Sequence, residues 1–368
     1  GWRRPQPGFL MHRFPVFFFS ATALLVLSGC GASSATAVAP TPEMADILSE
    51  RVAMNAKERS SVSLQEARDV PSLVEAGHAI FNVQGLPAPG IEVSQFTQPA
   101  ASGAAGSIGA TLYRPALAKN TPVIVYFPGG TWVTRRDADA DETARQLSIR
   151  TGWVVVSLQP RLAPEAHFPA IHDDALAAYQ WARGQMRSWG GDPTRVVLAG
   201  EGPGANLALS TALAARDRHV AVPDGLLLIT PWAGTATNTP SMREYGGSQP
   251  LTRATVRWAQ NQYAPDNLAD PRLDLAGRRD LAGMPPTMVV LADIDPLRSQ
   301  AETLAANLQQ AGARVDVRRY AGVTYDFFGL GAYVPRAADA EQDVASALKA
   351  RYDRPAEPAP VSRSRARR

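Results

Sequence analysis

Histidine and cysteine are scarce in this 368-residue chain. The one cysteine, Cys30, excludes an intramolecular disulfide, and none of the five histidines follows His219. Charged residues make up 19% of the chain, the net charge is +3, and no basic stripe is interleaved with aromatic residues. This composition argues against nucleic acid as a partner. Apolar residues make up 45%, enough to bury the core of one large domain or of two small ones.

The N-terminal residues, 1–29, have the pattern of an export signal. Met11 is the expected start, and a short basic stretch then leads into a mostly apolar run over 14–27, too short to span a membrane comfortably. The run ends in Leu-Ser-Gly-Cys, which resembles the bacterial lipobox and implies cleavage before Cys30 and lipidation of that residue. We therefore expect a lipid-anchored protein of the bacterial cell envelope that faces the periplasm. The alternative is an ordinary signal peptide with a chance cysteine.

Composition divides the rest of the chain into four parts. Residues 30–42 are rich in small residues and predict a flexible tether. Residues 43–100 predict a small helical N-terminal cap, and residues 101–352 predict the core. Residues 353–368, rich in Pro and then in Arg and Ser, predict a disordered basic tail. The expected helices of the cap are 43–58 and about 70–80.

Strands and helices alternate through the core region. The expected strands are 108–113, 122–127, 153–158, 195–199, 225–230, 287–292 and 314–319. The expected helices begin near 172, 205, 252, 296 and 336. Apolar strands that alternate with helices are typical of a mainly parallel sheet with helices on both faces. The sequence therefore predicts an α/β fold.

A glycine-rich turn lies at the centre of this pattern. The apolar strand ends at Leu198, and the turn Gly-Glu-Gly-Pro-Gly follows at 200–204, just before a helix. A strand, a sharp glycine turn and a helix frame the nucleophile elbow, G-x-S-x-G. Gly202 occupies the position of the serine, so the elbow is present without its nucleophile.

Several blocks together resemble the hormone-sensitive-lipase-like branch of the α/β-hydrolase family. Tyr-Phe-Pro-Gly-Gly-Thr-Trp at 126–132 resembles its oxyanion loop, and Gln-Pro-Arg-Leu-Ala-Pro-Glu at 159–165 resembles its Tyr-Arg-Leu-Ala-Pro-Glu turn. The blocks at 295–298 and 320–328 resemble those that carry the acid and the histidine of the triad. The resemblance covers about 105–350 and implies an α/β-hydrolase fold and hydrolysis of carboxylic esters as the ancestral activity.

The same resemblance places the triad serine, acid and histidine at Gly202, Asp295 and Tyr325. Gly202 has no side chain to attack a carbonyl, and a phenol with a usual pKa near 10 is a poor general base at neutral pH. No histidine lies close enough in sequence to Tyr325 to replace it by a shift of register. Asp295 keeps its carboxylate but has no imidazole to orient, so it is either a relic or the N-cap of a helix.

The oxyanion loop is altered as well. The family provides one backbone N–H from the residue after the nucleophile, and Pro203 has none. Gly129 and Gly130 retain their amides, whereas Pro128 replaces the histidine of the loop. Loss of one such donor lowers the rate about 100- to 1000-fold.

Other side chains near these blocks have both a structural and a functional interpretation. Glu201 is expected to be a solvated or structural carboxylate, Asp326 a loop residue, and His172 a surface or capping residue rather than a relocated base. Trp132 and Tyr325 are candidates for the lining of an apolar pocket. No motif implies a cofactor or a metal.

Three hypotheses for the function follow. The first is a catalytically inactive member that binds a small acyl or ester-like ligand or a protein partner. The second is an active esterase that uses non-standard residues. The third is a structural envelope lipoprotein without a ligand site. In each hypothesis the protein contacts the membrane through the lipid on Cys30. The sequence leaves the oligomeric state open.

Overall fold

The computed structural model of the protein describes residues 37–83, 90–101 and 106–353. Among these residues, eight strands form one sheet. The strands are β1 (Ile91–Pro99), β2 (Ser107–Pro115), β3 (Thr121–Phe127), β4 (Val154–Gln159), β5 (Gly191–Glu201), β6 (Gly225–Ile229), β7 (Thr287–Ile294) and β8 (Val315–Thr324). The strand order is β1-β2-β4-β3-β5-β6-β7-β8, antiparallel from β1 to β4 and parallel from there to β8.

Ten α-helices accompany the sheet within the described residues. They are α1 (Pro42–Ala53), α2 (Leu64–Asp69), α3 (Leu73–Phe81), α4 (Asp137–Thr151), α5 (Ala170–Gln185), α6 (Pro203–Asp217), α7 (Pro240–Tyr245), α8 (Arg253–Tyr263), α9 (Arg298–Gln310) and α10 (Pro335–Tyr352). α1, α3, α4 and α10 bury their apolar faces on one side of the sheet, and α5, α6, α8 and α9 bury theirs on the other. Both faces are therefore covered, as parallel strands require, and the predicted α/β-hydrolase fold is confirmed.

The N-terminal region differs from the prediction in two places. The first helix ends at Ala53 rather than at 58, because Asn55 takes a left-handed conformation with φ of 62°. The prediction that 43–100 is entirely helical is wrong, because this region also contains β1. β1 is an edge strand that pairs with β2 along its whole length. Its side chains are mostly exposed, so no buried face marks it in the sequence.

The ends of the chain lie largely outside the described residues. Cys30, most of the predicted tether and almost all of the predicted tail, 353–368, belong to that part. Two amides at the described end of the tether bond to the core: Val38 N–H donates to Tyr245 Oη and Thr41 N–H donates to the Gly322 carbonyl. No helix in 37–83, 90–101 or 106–353 is long and apolar enough to cross a membrane.

The close contact between β3 and α6 gives a first testable prediction. A Cβ on Gly204 would lie 2.1 Å from the Phe127 carbonyl oxygen, whereas a Cβ on Gly184 in α5 meets nothing within 4 Å. We expect Gly204→Ala to destabilise the fold, because backbone would have to move. Gly184→Ala is the matched control and should stabilise by up to about 1 kcal/mol through helix propensity. Urea denaturation of both variants measures the effect; equal free energies of unfolding would contradict it.

Candidate active site

The turn between β5 and α6 has the geometry of a nucleophile elbow. Gly202 has φ of 53° and ψ of −119°, and its amide donates to the Ile229 carbonyl at 2.9 Å. The outer glycines are required by contact: a Cβ on Gly200 would lie 2.2 Å from the Gly204 carbonyl oxygen. The sequence therefore folds into the strained turn of a hydrolase, with Gly202 at its tip.

The phenol of Tyr325 fills the space beside Gly202. A Cβ built on Gly202 would lie 1.9 Å from Tyr325 Oη, and Tyr325 is only 1% exposed. The hydroxyl donates to the Gly130 carbonyl at 3.2 Å. Burial raises the pKa of the Tyr325 phenol well above its usual value. The phenol is therefore neutral, and it occupies the place that a serine side chain would need.

Asp295 lies buried between β7 and α9 with half of its carboxylate unused. Oδ1 accepts from the Leu297 amide at 2.7 Å, whereas Oδ2 is buried without a hydrogen-bond partner among the described residues. Burial raises the pKa of Asp295 to about 7. The Tyr325 amide donates to the neighbouring Ile294 carbonyl at 3.3 Å, so positions 295 and 325 meet as the resemblance implies, but without an imidazole between them.

The oxyanion loop runs from the end of β3 and contacts the elbow. The amides of Gly129 and Gly130 have no hydrogen-bond partner in the part of the chain that the structure describes. Pro203 is the first residue of α6 and has no N–H. The arrangement keeps two backbone donors of the loop and lacks the donor that the elbow would supply.

One buried and two half-buried carboxyl groups meet behind the oxyanion loop, a feature that the sequence analysis missed. Glu201 and Asp326 both approach Gly129: a Cβ there would lie 3.3 Å from Glu201 Cγ and 3.6 Å from Asp326 Oδ1. With Asp139 they line a cavity of about 20 Å³. Burial raises the pKa of Glu201 well above its usual range, that of Asp326 to about 8 and that of Asp139 to about 6.

These positions decide between the two interpretations of Glu201 and agree with the expectation for Asp326. Glu201 is 4% exposed and therefore not solvated; its Oε2 accepts from Tyr126 Oη at 3.2 Å. Asp326 is a loop residue as expected, but it has φ of 61° and contacts the oxyanion loop. The sequence carries no signal for this cluster, because its members come from three distant segments. No group of three or more His, Cys, Asp or Glu residues in the described ranges is arranged to hold a metal ion.

His172 is buried rather than exposed. Its Nδ1 lies 2.6 Å from Tyr263 Oη and its Nε2 lies 3.0 Å from Asn206 Oδ1. Burial lowers the pKa of His172 to about 4, so the ring is neutral at pH 7. With both nitrogens engaged, His172 joins α5 to α6 and α8 and is not a free base at the elbow.

Comparison with known proteins agrees with this geometry. The family model for the alpha/beta hydrolase fold matches residues 124–329. The chain belongs to this family. It is 34% identical to the carboxylic ester hydrolase LipN of Mycobacterium tuberculosis. The similar stretch is 280 residues long and covers 74% of each chain.

Two further proteins show the range of names among the relatives of this chain. A hyperthermophilic esterase from the archaeon Pyrobaculum calidifontis superimposes with a TM-score of 0.77 at 30% identity, over 85% of this chain and 98% of that one. The gibberellin receptor GID1 of Oryza sativa subsp. japonica is 31% identical over 260 residues, 66% of this chain and 73% of that one. The chain is therefore similar both to proteins named as esterases and to a protein named as a receptor.

The unpaired Asp295 carboxylate gives a prediction on pH. Its pKa is higher in the folded protein, about 7, than the usual 3.9 of an unfolded chain. Between these values the folded state binds more protons, so the group lowers the free energy of unfolding as the pH rises. Asp295→Asn should remove this slope, worth up to about 1.4 kcal/mol for each pH unit.

Urea denaturation at pH 5.5 and pH 8 measures the prediction. The free energy of unfolding of the unmodified protein, relative to that of Asp295→Asn, should be lower at pH 8 than at pH 5.5. Asp266→Asn, at an exposed position, is the control for removal of a charge. A difference that stays constant with pH would contradict an unpaired buried carboxylate.

Proposed function

We propose that this member of the α/β-hydrolase family does not hydrolyse esters and instead binds a small acyl or ester-like ligand at the former catalytic site. The observation that carries the proposal is the contact between Tyr325 Oη and the vacant position at Gly202. A nucleophile is absent, and its space is filled by a neutral phenol. The similarity to a gibberellin receptor supports the proposal, because that relative is named for recognition of a ligand.

An active esterase with non-standard residues is the second candidate. The relatives named as ester hydrolases favour it, and the carboxyl groups of Glu201, Asp326 and Asp139 are acid groups behind the oxyanion loop. The two candidates separate in one assay. The unmodified protein should leave short p-nitrophenyl esters intact under our proposal and should turn them over under the second.

The repair of the site is the sharper test. Gly202→Ser alone places its side chain on the Tyr325 hydroxyl, so we expect lower stability and no hydrolysis. Adding Tyr325→His removes the phenol and gives Asp295 Oδ2 a partner, so weak turnover should appear. Adding Pro203→Ala returns one backbone donor, which should raise the rate by about 100- to 1000-fold. Hydrolysis of p-nitrophenyl acetate and labelling by a fluorophosphonate probe measure the series.

Two controls separate the chemical effect of these substitutions from their steric effect. Gly202→Ser with Tyr325→Phe relieves the contact with the hydroxyl but supplies no base, because an unassisted serine is a weak nucleophile; it should stay at background. Asp295→Asn in the triple variant should remove most of the gain. Hydrolysis by the unmodified protein would refute the proposal. A folded triple variant without turnover would show that restoring these side chains does not restore the geometry.

We also propose that the protein is anchored through Cys30 to a membrane of the bacterial cell envelope. The lipobox-like Leu-Ser-Gly-Cys supports this, and Cys30 lies outside the described residues. Two or more acyl chains give stable anchoring. Cys30→Ser should shift the protein from the membrane fraction to the soluble fraction or leave it unprocessed. Membrane association that Cys30→Ser does not change, without an acyl mass on the N-terminal peptide, would contradict the anchor.

A further inference from the structure

Two neighbouring cavities lie on the side of the oxyanion loop opposite the three carboxyls. The inner cavity, about 30 Å³, lies between this loop and the start of α6. The outer groove, about 660 Å³, lies over β1 and β2 beside α4. Four residues line both, so the two are adjacent: Arg135, Pro160, Arg161 and Leu162. The outer groove has the volume of an ordinary ligand pocket, about 300–1000 Å³.

The inner cavity has unused hydrogen-bond donors. Trp132 is 5% exposed, lines the cavity, and its indole Nε1 has no partner among the described residues. Gly129 contributes a free amide, and the amide of Gly204 lies in the first turn of α6, where amides have no partner within the helix. The positive end of the 15-residue helix α6 faces the same space.

Arg135 lies where the two cavities meet. Its Nη1 donates to the Pro160 carbonyl at 3.0 Å, and its Nε is buried without a hydrogen-bond partner. The nearest carboxylate oxygen, on Asp137, is 3.8 Å from Nε, and that side chain is 94% exposed. Arg161 differs, because Asp174 holds its Nε and Nη2 at 2.7 and 3.0 Å. Of these two arginines, Arg135 is thus the one whose guanidinium has a buried donor, Nε, without a hydrogen-bond partner.

Burial reduces the negative charge on the other side of the loop. Burial raises the pKa of Glu201 and raises that of Asp326 to about 8, so both carboxyl groups hold a proton more readily than exposed ones do. Asp139, with a pKa of about 6, lines only the cavity behind the loop. The inner cavity therefore combines a guanidinium, a helix N-terminus and neutral donors.

We infer that the inner cavity binds the carboxylate group of an organic acid, with the remainder of the ligand in the outer groove. The inference rests on the proposed function and names the class of ligand. A water-sized group needs about 10–15 Å³, so the cavity has room for two, the number of oxygens in a carboxylate. The planar guanidinium of Arg135 suits such a group. An ester presents no charge to Arg135 and carries an extra alkyl group.

The test compares butyrate and hexanoate with their methyl esters, by isothermal titration calorimetry on the purified protein at pH 7. Each acid should bind more than about tenfold tighter than its ester, because hydrogen bonds to charged groups are worth about 1.5–3 kcal/mol. Arg135→Gln should remove that preference. Trp132→Phe, which keeps an aromatic ring but loses the indole N–H, should weaken binding of the acid.

Arg314→Gln is the matched control, since Arg314 lines a separate groove at the opposite end of the parallel strands; it should leave the preference unchanged. Equal or tighter binding of the esters, no binding of either acid at millimolar concentration, or an acid preference that survives Arg135→Gln would overturn the inference. In those cases the non-hydrolytic function would still stand. Release of the acid from its ester, followed by NMR in the same samples, would instead refute the proposed function.

Discussion

The contact between the Tyr325 hydroxyl and Gly202 constrains every other part of the site. The phenol leaves no room for a Cβ at 202, and its hydrogen bond to the Gly130 carbonyl joins the segment after β8 to the oxyanion loop. The two lost triad positions are therefore coupled through space as well as through chemistry. While the phenol is present, glycine is the residue that the elbow accepts, and the left-handed φ of 53° at this tip favours glycine again. Return of a serine alone meets a steric barrier before any question of its activation arises.

Asp295 has a structural role that does not depend on catalysis. Its Oδ1 accepts the Leu297 amide at the entry to α9, which satisfies one of the donors that a helix N-terminus leaves free. Its Oδ2 has no partner among the described residues, and this is the oxygen that an imidazole would have used. The same carboxylate thus stabilises a helix and carries an unpaired buried oxygen. The presence of a triad acid in this sequence is accordingly no evidence of activity.

Much of the fold could be predicted from the sequence, because parallel strands buried on both faces leave apolar runs such as 225–230 and 287–292 between helices. β1 could not, since an edge strand with exposed side chains takes its register from β2 alone. At the site, Gly202, Pro203 and Tyr325 could be assigned from the order of the blocks. The packing of the phenol on Gly202 could not, nor could the cluster of Glu201, Asp326 and Asp139, because both depend on the distance between segments far apart in the chain. Burial of His172 likewise depends on Tyr263 and Asn206, which the sequence does not place beside it.

The altered positions and the unused donors act on different stages of a reaction. Catalysis requires contacts that are stronger in the transition state than in the ground state. A serine at 202 and a backbone donor at 203 would act on the tetrahedral oxyanion, and this chain has neither. The Trp132 indole, the free amides and the Arg135 guanidinium surround a cavity that admits a planar group before any bond changes. Under our proposal, a site that keeps these ground-state donors and lacks both of those transition-state contacts binds a ligand without turnover.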